Sequence, residues 1–314
     1  MRFNPKARLD SSRVSDAGRG SGGGGLGGGG SRLPIPGGVA GGGGVIGVIV
    51  VVVFIAIQLF SGSGGGGGLG GGTGGGGLDA SRFSDTGRYA SCKTGADANK
   101  SADCARVAVE NSLRDFWGDT LGDEFTPVDQ VVTFEGSIGT GCGGADSSVG
   151  PFYCPSDQRI YLDSGFFDEV LERQLGGPDG GFVEPYVLAH EYGHHISNLI
   201  GTIGNVKGDT GPQSSGVRLE LQADCFAGMW ARSATETEDA DGNVLFAELN
   251  QQDIDLALEA AAAVGDDRIQ KKTTGQVDSE TWTHGSAANR QKWFGIGFEQ
   301  GSLDACDTFS VDKV

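Results

Sequence analysis

One tract, residues 18–77, decides where a folded domain can lie in this chain of 314 residues. It holds 30 of the 59 glycines, and nearly pure glycine cannot bury enough apolar surface to offset the entropy lost on folding. The glycine runs at residues 22–30 and 62–77 are therefore expected to be linkers. The remainder has an ordinary globular composition, so the folded domain is expected after the tract.

An uncharged apolar run at residues 45–60 lies inside the glycine tract. Extended to residues 39–60 it has 22 residues, enough for a helix to span a hydrocarbon core of about 30 Å. The run predicts one transmembrane helix, with the lipid bilayer as its partner. Six basic and two acidic residues occur up to position 60, and basic flanks favour the cytoplasmic side. We therefore expect a single-pass protein of the cell membrane with a cytoplasmic amino terminus and everything after residue 60 outside.

These features divide the chain into four parts. We expect a cytoplasmic, basic, glycine-rich tail at residues 1–38, a transmembrane helix at 39–60, a glycine-rich linker at 61–87 and the folded domain at 88–314. After residue 60 the net charge is −22, and no cluster of Arg and Lys occurs there. A nucleic-acid-binding protein needs such clusters to displace counterions, so nucleic acid is excluded as a partner.

All six cysteines follow the apolar run. An even number on the outer side is typical of disulfide bonds formed in an oxidising compartment. Fifteen connectivities are formally possible. The connectivity that pairs neighbours along the chain joins Cys92 to Cys104, Cys142 to Cys154 and Cys225 to Cys306.

A short repeat also stands out. Residues 9–19 read LDSSRVSDAGR, and residues 78–88 read LDASRFSDTGR. Eleven residues repeated once are too few to build a repeat architecture. With the expected topology the two copies lie on opposite sides of the membrane, where each could act as a recognition element.

Apolar periodicity predicts an α+β domain that is predominantly helical. The predicted helices are residues 99–121, 164–175, 185–200, 217–232, 247–264 and 287–300. Two short strands are predicted at residues 128–134 and 158–162. The second strand is expected to offer its edge to an extended substrate, a mode of peptide recognition that proteases share.

The sequence His-Glu-Tyr-Gly-His at residues 190–194 is the most specific chemical signal in the chain. On the predicted helix, His190 and His194 are one turn apart on one face, where two imidazoles can hold a single Zn²⁺ ion. Glu191 is rotated by about 100° from His190, so it can reach a zinc-bound water without becoming a ligand. The pattern predicts a zinc site with Glu191 as general base.

A catalytic zinc takes three protein ligands and keeps one position open. The best third candidate is Glu220, on the following predicted helix. Asp224 lies four residues further along the same face. We expect Asp224 to accept the free ring N–H of a liganding histidine, and His190 is the first choice.

Amide hydrolysis also develops negative charge on an oxygen atom, which a second donor would stabilise. His284, just before the last predicted helix, is the candidate for this donor, with Arg290 or Tyr192 behind it. A structural role for His284 as the cap of that helix is an open alternative. His195 points about 100° from His194 and is expected to pack or support the site rather than bind the metal.

Together these motifs resemble the family described as putative neutral zinc metallopeptidases, membrane-anchored bacterial proteins of the gluzincin group of zincins. The resemblance covers most of the chain and rests on residues 150–163, 190–195, 220–225 and 284–298. It implies a zincin-like fold with a small sheet and zinc on His190, His194 and Glu220. It also implies that Glu191 is the catalytic carboxylate.

The expected function is hydrolysis of peptide bonds in a peptide or protein substrate by a membrane-anchored zinc peptidase. Two alternatives stay open. A noncatalytic protein of the cell envelope would use zinc to stabilise its fold, with four protein ligands and no coordinated water. A zinc amidase would act on amide bonds of the cell wall instead.

Overall fold

The structure, a computed structural model, describes residues 1–20, 83–147, 149–178, 180–239 and 241–314. The transmembrane helix expected at residues 39–60 lies outside these residues, as does most of the linker expected at 61–87. Within the described ranges, no helix combines the length and the apolarity that crossing a bilayer requires.

The described residues form a mostly helical α+β fold, as the periodicity predicted. In chain order the helices are α1 (Gly95–Ala98), α2 (Ala102–Leu121), α3 (Phe166–Leu175), α4 (Val183–Leu199), α5 (Ser215–Ser233), α6 (Gln251–Ala263), α7 (Asp266–Thr273) and α8 (Ala287–Gln300). The strands are β1 (Arg2–Phe3), β2 (Val14–Arg19), β3 (Gln130–Glu135), β4 (Ser137–Thr140), β5 (Gly143–Asp146), β6 (Phe152–Cys154), β7 (Arg159–Asp163) and β8 (Phe246–Glu248). The helix α3 is wound as a π-helix.

The main sheet has four strands in the order β2-β3-β7-β6. The strands β2, β3 and β7 are parallel, and β6 is antiparallel to β7. The strand predicted at residues 158–162 is β7, which is hydrogen-bonded on both sides. The expectation that it offers an edge to substrate is therefore wrong, and β6 is the edge strand on that side of the sheet.

The first twenty residues belong to the folded body. The strand β1 pairs with β8, and β2 pairs with β3, placing Val14 opposite Val131. Phe3, Ala7 and Val14 are at most 3% exposed and join the main apolar core. Pairing with strands distant in the sequence stabilises this segment. Because these contacts are long-range, no periodicity within residues 1–20 could predict them.

This packing corrects the expected division of the chain. The sequence predicts that a membrane separates residues 1–38 from the domain. Paired strands cannot lie on opposite sides of a bilayer, because their backbone N–H and C=O groups must be within hydrogen-bonding distance of each other. In this fold residues 1–20 therefore share the compartment of residues 83–314, and a tail split from the domain is not compatible with it.

The two copies of the repeat contact each other. The first copy contains β2, and the described end of the second copy runs beside it. The backbone N–H of Asp16 donates to Oδ1 of Asp85, its counterpart in the second copy, at 3.1 Å. The backbone N–H of Thr86 donates to the carbonyl oxygen of Asp16 at 3.0 Å. The hydroxyl of Thr86 donates to Oδ2 of the same aspartate at 2.7 Å. The repeat thus supplies two adjacent segments of one body.

Disulfide bonds and close helix packing hold the fold together. The connectivity between neighbouring cysteines is confirmed for the described residues: Cys92 pairs with Cys104, Cys142 with Cys154 and Cys225 with Cys306. The helices α5 and α8 meet at Gly228 and Gly297, where an added Cβ would lie 2.1 Å and 1.8 Å from backbone oxygens of the facing helix. This approach brings α8 next to the metal-binding face of α5.

Candidate metal centre

The helices α4 and α5 bring together the three predicted zinc ligands. Nε2 of His190 lies 3.2 Å from Oε2 of Glu220, and Nε2 of His194 lies 3.5 Å from Oε1 of the same carboxylate. All three side chains are buried, and their ligand atoms lie within 4.8 Å of one another. Ligand atoms about 2.0–2.1 Å from a tetrahedral zinc are about 3.3 Å apart, so these spacings suit that metal.

The ligands meet because α4 and α5 approach closely. Gly193, between the two histidine ligands, faces Ala223 on α5, and a Cβ at Gly193 would lie 2.9 Å from the Cα of Ala223. A side chain there would force the helices apart and carry Glu220 away from the histidines. The small residues at this crossing are therefore needed to keep the three ligand side chains close together.

Two polar atoms at the site are buried without a hydrogen-bond partner in the described part of the chain, Nδ1 of His194 and Oε2 of Glu191. An unpaired buried polar atom costs about 1–3 kcal/mol. A water molecule held by a metal would satisfy Oε2 of Glu191. The donor set and this unpaired oxygen both fit a zinc ion with an accompanying water.

Asp224 lies at the centre of a buried network behind His190. Its Oδ1 accepts the Nδ1–H of His190 at 2.9 Å and the hydroxyl of Tyr186 at 2.6 Å. Arg290 donates to Oδ2 through Nε at 2.8 Å and to Oδ1 through Nη2 at 2.9 Å. The sequence predicted the contact with His190, and the structure brings these residues together. The bidentate arginine fixes the carboxylate, which in turn directs Nε2 of His190 towards Glu220.

The pKa shifts at Asp224, Glu220 and His194 favour the forms that bind a cation, whereas the shift at His190 opposes it. Burial opposes ionisation of Asp224, but Arg290 and His190 outweigh it and lower the pKa to about 2. Burial also opposes the charge on Glu220, yet the facing histidines hold its pKa well below the usual value. Burial lowers the pKa of His194 to about 4. Burial opposes a charge on His190 as well, but Asp224 raises its pKa to about 9, so metal binding must displace a proton from this ring.

Glu191 follows His190 on α4 and faces the edge strand β6. Burial raises its pKa to about 7 and outweighs His190 and the Tyr153 backbone, which lower it; the Glu220 carboxylate adds to the rise. Oε2 of this carboxylate has no partner among the described residues. A buried carboxylate with a raised pKa can accept and return a proton near neutral pH.

His284 lines the same cavity as the three ligands. Its Nδ1 lies 2.9 Å from the hydroxyl of Thr283 and 3.4 Å from Oδ1 of Asp266, which leaves Nε2 for the cavity. Burial opposes a charge on this ring, but Asp266 raises the pKa of His284. The cap of α8 is Ser286, whose hydroxyl accepts the N–H of Asn289, so His284 does not cap that helix.

The two alternatives to His284 are placed differently from it. Arg290 lines the cavity too, but its Nε and Nη2 donate to Asp224. Tyr192 lies on the other side of α4, where its ring stacks on Phe125 with centroids 6.5 Å apart. Tyr192 is therefore not placed to donate to an oxygen at the metal.

The cavity at the metal site has one polar and one apolar wall. The polar wall consists of the ligands with Glu191, His284 and Arg290. The apolar wall comes from α3, α4 and the region of α6, and includes Phe166, Val170, Leu171, Val187, Ala260 and Val264. A substrate in this cavity would meet a metal on one side and aliphatic and aromatic surface on the other.

The sequence profile of the family described as "Putative neutral zinc metallopeptidase" matches residues 1–309. The chain belongs to this family. It is 52% identical to Uncharacterized protein Rv2575 of Mycobacterium tuberculosis over 222 residues, 70% of this chain and 75% of that protein. It is 38% identical to Uncharacterized protein YpfJ of Escherichia coli K12 over 203 residues, 61% of this chain and 67% of that protein. No solved structure matches the chain.

In this member of the zinc metallopeptidase family, several residues of the site carry no motif of their own. Asp266 begins the unpredicted helix α7, and its Oδ2 accepts the backbone N–H groups of residues 283–285 at 2.7–2.9 Å. Tyr186 and Tyr153 look like ordinary core aromatics in the sequence. Tyr186 lies one turn before His190 on α4, and that helical spacing is the signal that could have identified it.

Proposed function

We propose that this protein is a zinc-dependent peptidase in which His190, His194 and Glu220 hold the metal and Glu191 is the general base. The observation that carries the proposal is the buried Oε2 of Glu191, which has no partner in the described part of the chain, beside three ligand atoms at zinc spacing. Membership of the family supports the same reaction. A zincin-like arrangement, with HExxH on α4 and the third ligand on α5, is part of the proposal.

Each residue has a distinct task in the proposed reaction. Bound zinc would act as a Lewis acid towards a carbonyl and would lower the pKa of water from near 16 to about 7. Glu191 takes a proton on Oε2 and returns it to the leaving amine. His284, held at Nδ1 by the Thr283 hydroxyl and by Asp266, donates from Nε2 to the developing oxyanion. Asp224 keeps the ring of His190 turned towards the metal.

The apolar wall of the cavity favours a peptide or protein substrate over a cell-wall fragment. Burying an aliphatic or aromatic side chain against such a wall contributes about 1.5–3 kcal/mol. Polar glycan and short stem peptides would gain much less. We therefore propose cleavage next to apolar residues of peptides or proteins.

The noncatalytic alternative requires a fourth protein ligand. Among the residues that the structure describes, His190, His194 and Glu220 are the group of His, Cys, Asp and Glu side chains that converge to hold a metal. The cavity lies against these ligands. This arrangement favours a site that admits water and substrate over a closed structural site.

We also propose that the protein works at the cell membrane on its outer side. The disulfide bonds among the described residues favour an oxidising compartment. Contact of residues 39–60 with the bilayer belongs to this proposal. In the fold described above, residues 1–20 and 83–314 would then both be outside the cytoplasm.

The proposed activity can be tested on the full chain, which includes the strands of residues 1–20. We expect one zinc ion per chain and endoproteolytic cleavage of denatured proteins that a zinc chelator abolishes and added zinc restores. Peptidoglycan fragments form the parallel substrate set. Cleavage of those fragments alone would indicate the amidase, and a fully zinc-loaded protein that cleaves neither set would indicate the noncatalytic role.

Replacing His284 with Gln should lower kcat about 100-fold, the effect of losing one oxyanion donor, with little change in KM or zinc content. Steady-state kinetics and metal analysis measure these quantities. Ser286→Ala is the matched control, because it removes the cap of α8 next to His284, at about 1 kcal/mol of stability. Equal losses of kcat in the two variants would show that His284 acts only through the start of α8.

A further inference from the structure

We propose that Val170 and Leu175 of α3 are specificity-determining residues, which the π winding of that helix turns into the cavity to form a pocket for one branched aliphatic side chain of a peptide substrate. The inference rests on the proposed peptidase function and deepens it, because it names the kind of side chain accepted next to the scissile bond. It commits the pocket to side chains of the size of valine, leucine or isoleucine.

The buried face of α3 follows the spacing of a π-helix. Its buried side chains are Phe166, Val170, Leu171 and Leu175, and all four line the cavity. Phe166 and Leu171 are five positions apart, as are Val170 and Leu175. In a π-helix each carbonyl bonds to the N–H five residues later, so residues five apart lie one above the other. In an α-helix they would be rotated by about 140° from each other. The π winding therefore keeps both Val170 and Leu175 on the cavity face.

Contacts at both ends of α3 hold this winding. Before the helix, Oδ1 of the buried Asp163 accepts the backbone N–H of Gly165 at 2.9 Å. After the helix, the N–H of Gly176 is bonded to the carbonyl of Leu171, five residues earlier. The N–H of Gly177 donates to the same carbonyl at 2.9 Å, and a Cβ at Gly177 would lie 2.9 Å from Cδ1 of Leu171. The helix is thus fixed before its first turn and after its last.

The pocket adjoins the metal ligands. Val170 and Leu175 line the same cavity as His190 and Glu191. Val187, which also lines the cavity, lies three positions before His190 and four before Glu191, on the same side of α4. A substrate with its carbonyl at the metal would therefore place a neighbouring side chain against this wall.

The size and polarity of the cavity select that side chain. The cavity has a volume of about 90 Å³, which includes the space beside the metal ligands. An apolar cavity of about 150 Å³ holds a benzene molecule, so the smaller space suits a branched aliphatic group and not a phenyl ring. The charged residues of α3, a helix described throughout, do not line the cavity. A charged substrate side chain would lose its hydration here without gaining a partner from this wall.

The first test uses peptides that differ at one position, which is Ala, Leu, Phe or Asp, with the variable position placed on either side of the scissile bond. On one side we expect kcat/KM for Leu to exceed that for Ala by at least about 30-fold and those for Phe and Asp by at least about tenfold, because one methylene group in an apolar pocket already changes kcat/KM about 10–200-fold. Equal values on both sides would overturn the pocket. A preference for Phe over Leu would overturn its assignment to aliphatic side chains.

Enlarging the pocket should admit the larger side chain. We expect Val170→Ala and Leu175→Ala each to raise the ratio of kcat/KM for the Phe peptide to that for the Leu peptide by at least about tenfold. The matched control is Val107→Ala, which removes the same two methyl groups from a fully buried position of α2 that does not line the cavity. The ratio does not depend on how much of each variant is folded. An equal shift in Val107→Ala, or no shift in the α3 variants, would overturn the role of α3.

A sequence swap tests the winding itself. Gln174 is exposed and lies four positions after Val170, where an α-helix would bring it to the cavity face. In the double variant Gln174→Leu with Leu175→Gln, the π winding places the amide in the pocket and the leucine in solvent. We expect the preference for Leu over Ala to fall below about threefold. An unchanged preference would show that residue 174 faces the cavity, and would overturn the assignment of Leu175.

A binding measurement separates this inference from the proposed function. Hydroxamic acids bind a zinc ion through their two oxygens and can carry a methyl, an isobutyl or a benzyl group. In calorimetry with the zinc-loaded full chain, we expect the isobutyl compound to bind at least about tenfold more tightly than the other two. The same selectivity in a protein that hydrolyses no peptide would overturn the proposed function and leave the pocket standing. Hydrolysis without selectivity among the hydroxamic acids would overturn the pocket alone, and a chain that binds no zinc would overturn both.

Discussion

Replacing Glu191 with Gln should leave the zinc bound and lower kcat/KM for peptide hydrolysis by at least about 10³-fold, within the range expected for loss of a general base. Gln has the size of Glu but cannot take a proton from water. Oε2 of Glu191 has no partner among the described residues, so no structural bond from that oxygen is lost. A 10³-fold loss corresponds to about 4 kcal/mol of transition-state stabilisation.

The matched control is Glu259→Gln, an equal change of charge at an exposed position of α6. This variant should keep its zinc and its activity. Kinetics with one peptide substrate and metal analysis of both variants decide the result. Persistent hydrolysis in Glu191→Gln would show that another group is the base, and loss of zinc would show that Glu191 is a ligand.

Replacing Asp224 with Asn should destabilise the fold by about 3–5 kcal/mol, because it leaves the buried guanidinium of Arg290 without its carboxylate. It should also weaken zinc binding about 10–100-fold, since Nδ1–H of His190 loses a charged acceptor. Urea unfolding in the presence of chelator measures the first effect. Competition with a zinc indicator at fixed pH measures the second.

The double variant Asp224→Asn with Arg290→Met separates the two effects. It removes both charges, so most of the stability should return. Zinc affinity should stay low, because the acceptor behind His190 is still neutral. Recovery of zinc affinity together with stability would mean that Asp224 acts on the metal only by maintaining the fold.

Helices and the metal motif were predictable because their signals are local. Apolar residues at helical spacing predicted six helices of the domain, with ends within four residues of those observed. The spacing of His190 and His194 places both on one face of α4 whatever surrounds the helix. Glu220 was predicted from the same kind of spacing to Asp224 combined with the need for a third ligand.

The sheet and the support of the site were not predictable in the same way. Whether β7 is an edge or an interior strand depends on β6, a strand of three residues that follows a glycine and a proline. Asp266 supports His284 through contacts that join a helix start to a loop seventeen or more positions away. Such contacts depend on tertiary packing, and no periodicity in the sequence encodes them.

The pairing of β1 with β8 and of β2 with β3 has a consequence for any attachment to a bilayer. The described residues before position 21 and after position 82 form one folded body, so both parts would lie on the same face of any membrane to which the protein is attached. Single cysteines at Ser12 and Ser310, both exposed, should therefore react together or not at all with a membrane-impermeant thiol reagent in intact cells.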